Sequence, residues 1–221
     1  MAEPPVSLPR RYAAWSLDAA LVALPLLVAL HGSLRPRWRA LGPALEGLTD
    51  AVLRAMLQTM PGLPSPAALA ADPAVAAFAS ALGAALLPAT AVFACALGAW
   101  GAGFEAWRGA TPGKRALGLR VADAQGGRLA GWRHPLRQVA GLASWLTLNL
   151  GHLLAAVPPR RQALHDRIAG ARVEGGGGPL PGWARGWLWL QAALACAALA
   201  WLAARLQAEV DASLLRVLGP S

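Results

Sequence analysis

Charge is what this sequence has least of. Charged residues make up 14% of its 221 residues, where soluble domains carry about a quarter. Hydrophobic residues reach 56%. That balance excludes an ordinary soluble domain, and the long uncharged stretches exclude an Ala/Leu-rich soluble bundle. Acids are scarcer than bases, eleven against twenty, for a net charge of +9. The excess does not imply nucleic acid, because the arginines cluster in the segments flanking apolar runs, as in membrane proteins. Only two cysteines are present, Cys95 and Cys196, each inside an apolar run. They read as small buried hydrophobes, and no Cys/His cluster has metal-ligand spacing.

Four apolar segments are present. Residues 12–30 contain Pro25, residues 74–100 carry no charge, residues 138–157 carry Asn149 and His152, and residues 187–204 have Trp187, Trp189 and Trp201 near their ends. Each approaches the roughly 20 residues needed to cross a bilayer. Arg10–Arg11 followed by 19–30 resembles a signal peptide, but Asp18 interrupts it and His31-Gly32-Ser33 offers no cleavage site. Residues 31–73 read as a loop punctuated by Pro43, Pro61, Pro64 and Pro66, with an amphipathic stretch over 44–60. Leu117, Leu119 and Val121 alternate before a turn at Asp123–Gly127, which predicts a short β-hairpin. Gly175–Gly178 reads as a flexible joint.

Basic residues set the topology. If 138–157 crosses the membrane, Lys and Arg divide eleven inside to nine outside; if it dips in and returns, the division is fourteen to six. The positive-inside rule favours the second arrangement with the N-terminus cytoplasmic. Gly141, Asn149 and Gly151 suit a broken, re-entrant helix. The expected fold is an all-α membrane protein. It is a small transmembrane helix bundle of three spans plus a re-entrant or third-helix segment, with a short cytoplasmic β-hairpin. The lipid bilayer is its first partner, and a homo-oligomer or another membrane protein would add walls to so small a subunit.

Arg11 and Asp18 are seven residues apart at the start of the first apolar run. Two helical turns place them on one face, about 10 Å apart along the axis. An aspartate inside a span costs several kcal/mol unless paired, hydrated or protonated. Asp18 therefore reads either as a titrating carrier or as a structural, hydrogen-bonded acid. His165–Asp166 reads as a proton relay, as half of a metal site, or as a loop-ordering ion pair with an arginine, and the last is favoured because no second carboxylate/histidine cluster is close in sequence. Asn149 and His152 share a face and would line a polar cavity or bond neighbouring helices. Gly109, Gly113 and Lys114 superficially match a phosphate loop, but Arg115 stands where Ser or Thr is required. No catalytic constellation, metal site or cofactor motif is present, so an enzyme is not expected.

Three segments carry a family resemblance. Arg11-Tyr-Ala-Ala-Trp-Ser-Leu-Asp18 resembles the opening of the RDD family of bacterial membrane proteins, named for an arginine and two aspartates. Gly109-Ala-Thr-Pro-Gly-Lys-Arg-Ala-Leu-Gly118 is similar to its central glycine–lysine motif. Arg160-Arg-Gln-Ala-Leu-His-Asp166 with the residues to Val173 is similar to its closing motif. The resemblance implies that Arg11, Asp18 and Asp166 are the name residues and that residues 1–174 form the membrane domain. It implies a bacterial inner-membrane protein concerned with ligand or ion transport, or with sodium–proton exchange as suggested for some members. A non-catalytic scaffold or accessory subunit is the other expectation. Ala163 and Ala171 depart from the family's usual threonines. A Gly/Pro linker over 175–184 and an additional transmembrane helix with a tail over 185–221 lie beyond the resemblance.

Overall fold

The structure is a computed structural model that describes residues 6–146, 150–157 and 162–219. Three long helices dominate: α1 Leu8–Thr59, α3 Pro73–Arg108 and α8 Gly182–Leu218. Each is long and apolar enough to cross a membrane. Short helices α2 (Pro66–Ala70), α4 (Pro112–Ala116), α5 (Arg133–Leu146), α6 (Leu150–Leu153) and α7 (Leu164–Ile168) lie between them. Strands β1 (Leu119–Asp123) and β2 (Ala171–Gly175) form one antiparallel sheet.

The first long helix overturns the expected loop after His31. At about 1.5 Å per residue, its 52 residues span roughly 78 Å, more than twice a hydrocarbon core of about 30 Å. Pro25, Pro36 and Pro43 lie inside it, so proline alone does not stop this helix. The Ala, Leu and Arg residues between His31 and Thr59 are strong helix formers, and neighbouring helices and side chains can absorb the carbonyl that each proline frees. The second apolar run likewise extends past Trp100 to Arg108. The fourth becomes a 37-residue helix. Cys95 and Cys196 are exposed on the helix surfaces rather than buried, and both are free thiols.

Among the described residues, 138–157 contribute no helix long enough to span. α5 takes their first part, and α6 with a 3₁₀ turn at Leu154–Ala156 takes the last. Asn149 lies outside the described residues.

The chain divides into two compact units, residues 1–27 with 92–190 and residues 28–91 with 191–221. In the second unit, Asp50 of α1 accepts hydrogen bonds from Ser213 (2.6 Å) and Arg216 (3.0 Å) of α8. The Arg37 guanidinium also reaches the Ala84 carbonyl of α3 at 3.4 Å.

The first unit has two small cores. One gathers Val6, Ala13, Ala14, Leu117, Leu119, Val173 and Ala184, and the other Val121, Leu129, Ala169 and Ala171. The strand expected at Leu119–Val121 forms, with Leu119 and Val121 buried and Arg120 exposed. The turn after Asp123 closes with one bridge, Ala122 to Arg128. The long pairing, however, is with β2, in the register Leu119↔Gly175, Val121↔Val173 and Asp123↔Ala171. Burial explains the preference: Val173 and Ala171 bring apolar side chains to β1, which the turn residues could not. The Gly175–Gly178 joint is held, not free. The buried Arg10 guanidinium donates to the carbonyls of Gly178 (3.0 Å) and Pro179 (2.6 Å), and to Leu117 at 3.3 Å.

Candidate functional site

All the polar residues expected to act, apart from Asn149, fall in the first unit, but they form two groups. Asp18 is buried and grips the start of α4. The Thr111 hydroxyl donates to Oδ2 (2.5 Å), and the Gly113 amide (2.8 Å) and Trp100 indole (3.2 Å) donate to Oδ1. Thr111 caps α4 by accepting from the Lys114 amide. Gly113 is required by proximity, since a Cβ there would stand 2.1 Å from the Ala14 carbonyl. Gly109 and Gly118 take left-handed conformations, with φ of 72° and 69°, and end α3 and α4. The glycine–lysine motif is thus a short capped turn docked on Asp18.

The second group is a chain of buried ion pairs. Arg11 Nη1 lies 3.0 Å from Asp166 Oδ2. Arg137 donates from Nε to Asp166 Oδ1 and from Nη1 to Glu105 Oε1, both at 2.7 Å. Lys114 Nζ reaches the same Glu105 oxygen at 2.7 Å, and Gln138 donates to Oε2 at 3.3 Å. His134 Nδ1 stands 3.6 Å from Oε2. His165 Nε2 is 3.3 Å from Asp166 and 3.2 Å from Arg137 Nη2, and its ring centroid is 5.0 Å from that of His152. Arg11 is therefore paired with Asp166, whereas Asp18 has other partners.

Environment sets the charges. Burial alone would raise the Asp166 carboxyl, but the Arg137 charge, the His165 hydrogen bond and Arg11 hold it well below the usual carboxylate range. Burial works against the Arg137 charge as well, and Glu105 and Asp166 reverse that and raise its pKa. Burial lowers His165 below its ordinary value, with its Asp166 hydrogen bond opposing.

Glu105, Arg137, His134, Gln138 and Thr111 were not singled out from the sequence. Glu105 held a readable signal: it is an acid five residues beyond the uncharged run that ends at Trp100, followed by Trp107 and Arg108, residues of the kind that end a span. Placing the helix end at Trp100 hid it in a loop.

A cavity of about 440 Å³ opens in this unit. Leu8, Tyr12, Trp15, Leu97, Leu142 and Leu153 supply apolar wall, and Arg11, Asp18, Lys114, Arg137, His152 and His165 supply polar lining. Among the described residues, no group of three His, Cys, Asp or Glu side chains is placed to hold a metal ion.

Three apolar helices and a buried polar network at one site define a multi-pass, all-α membrane protein with a small sheet. The chain belongs to the RDD family, whose profile matches residues 5–170. Arg11, Asp18 and Asp166 all lie within that match, while α8 lies beyond it. No curated protein and no solved structure gives a significant match.

Proposed function

We propose that this RDD protein is transport-associated, and that its cavity holds the substrate or the coupling ion. The supporting observation is the cavity itself, about 440 Å³ with mixed walls beside a buried network that includes two histidines. Pockets of that volume accept small ligands. His165, with His152 beside it, is the coupling group in this reading. Asp18 is not, because three donors already hold its carboxylate. The role is non-enzymatic. The protein sits in a bacterial inner membrane with its N-terminus and ion-pair network on the cytoplasmic side, as the fourteen-to-six division of basic residues favours. A reporter fused after Gly177 and read as periplasmic would reverse that orientation. The functional test is pH-driven cation flux in liposomes. The parent chain is expected to conduct and His165→Gln to lose the coupling to pH. A parent without flux, or a His165→Gln variant that keeps the coupling, sinks this reading.

A scaffold or accessory-subunit role is the second reading. It is favoured by how fully the carboxylates of Asp18, Glu105 and Asp166 are satisfied within the chain, as in a site that holds helices together. Loss of co-purifying membrane partners in Asp18→Asn, with no flux in the parent, supports it.

A further inference from the structure

The polar lining of the cavity is unequal in donors and acceptors. Asp18 accepts three hydrogen bonds. Glu105 and Asp166 are buried and saturated by their cations. The acceptors are therefore spent. The donors are not. Among the described residues Lys114 Nζ has one partner, Glu105, so two of its three N–H groups remain. Arg11 Nε is a buried donor without a hydrogen-bond partner among the described residues, and His152 Nδ1 and His165 Nδ1 are buried ring nitrogens also without one, each a donor or an acceptor according to tautomer. All four side chains line the cavity. Buried polar atoms are normally paired, so the unfilled Lys114 and Arg11 donors in the cavity lining point to a ligand that supplies acceptors.

Arg11, Lys114 and Arg137 balance Asp18, Glu105 and Asp166, so an entering anion meets no net opposing charge. The remaining wall is apolar, and Tyr12, Trp15, Leu142 and Leu153 are 40–53% exposed where the cavity meets the surface.

We infer that the cavity binds an acidic amphiphile, its oxyanion head against Lys114, Arg11 and the two histidines and its chain along the apolar wall. The inference rests on the same cavity as the transport reading and names the class of ligand. A carboxylate and a phosphate head share this chemistry.

The test uses the full chain in phosphatidylcholine nanodiscs with radiolabelled palmitate. Hexadecyl phosphate, unlabelled palmitate and hexadecanol compete for it. Saturable binding is expected, with hexadecanol at least about tenfold weaker than the better acid, the factor for one lost charge-assisted hydrogen bond. Tighter competition by the phosphate assigns a phosphate head, and by palmitate a carboxylate. Lys114→Gln should weaken binding about tenfold. Gly141 lines the cavity and a Cβ there meets nothing within 4 Å, so Gly141→Leu fills the space and should abolish binding while the protein unfolds at its usual temperature. Leu142→Trp is the second filler if Gly141→Leu does not fold. Hexadecanol competing as well as the acids, or unchanged binding in a folded filler variant, overturns the inference. Flux without palmitate binding removes this inference and leaves the transport reading; binding without flux does the opposite.

Discussion

Arg137 joins the two halves of the ion-pair network. Its guanidinium bonds Asp166 from Nε and Glu105 from Nη1, and it is only 6% exposed. Planarity matters here, because one fork serves two carboxylates that a lysine could not bridge. Removing it leaves two buried acids without their main cation. Breaking a buried pair from one side costs about 3–5 kcal/mol. Arg137→Met should therefore lower the unfolding temperature sharply, or stop folding, in a thermal melt of the detergent-solubilised protein, whereas Arg120→Met, which removes only the surface pair with Glu174, should change it little. The histidine next to the network adds a pH dependence. Because burial lowers His165 in the folded state, the unfolded chain takes up its proton first as pH falls. Stability should decline below the ordinary histidine range and stop declining once folded His165 is protonated too. Asp166, depressed in the fold, contributes a loss of the same sign at lower pH. Melts across this range should show the first decline shrink in His165→Gln; an unchanged profile refutes the assignment.

At the scale of elements, α4 shows how a five-residue helix is fixed in place. Its own hydrogen bonds are too few to hold it, since isolated helices shorter than about 12 residues are marginal. Thr111 and Asp18 anchor its start, Lys114 ties it to Glu105, and Gly118 ends it. Gly113→Ala puts a methyl 2.1 Å from a backbone carbonyl of α1, which neither partner can avoid. The substitution should separate α4 from Asp18, seen as new protease cleavage between Arg108 and Arg120 in the folded protein; an uncleaved variant would show that α1 yields instead.

Elements also mark what the sequence makes legible. Apolar runs and charge gaps located all three spanning helices, because lipid imposes a length and a composition on them. The β1 strand was readable from Leu119 and Val121. Three features were not readable. α1 runs through Pro36 and Pro43, which ordinarily signal a helix boundary. The partner of β1 lies some fifty residues on, and local turn chemistry says nothing of distant strands. Asp18 and Arg11 share a helix face, yet a shared face does not select partners; Thr111 and Gly113 take one, Asp166 the other.

For the whole molecule, the last helix decides how far the family region stands alone. The family match ends at residue 170, and α8 lies wholly beyond it, an addition by sequence. By packing it is not. Ala184 is fully buried in the first unit's core with Ala13 and Ala14, and Trp187 donates to Ser16 at 3.0 Å. In the second unit, Ser213 and Arg216 bond Asp50, and Arg216 also bonds Glu209 at 2.8 Å. Asp50 and Arg216 are partly exposed, and water screens such a pair so that it contributes little. Arg216→Gln should thus shift the unfolding temperature by only a few degrees. Truncation before Gly182 should do far more. It uncovers Ala13, Ala14 and Ser16, and it also releases the carbonyls at Gly178 and Pro179 from the fixed chain that presents them to Arg10. The truncated chain should reach the membrane, since α1 and α3 retain their apolar windows, but unfold at a markedly lower temperature. If it melts with the full chain, α8 is an appendage and the family region is self-sufficient.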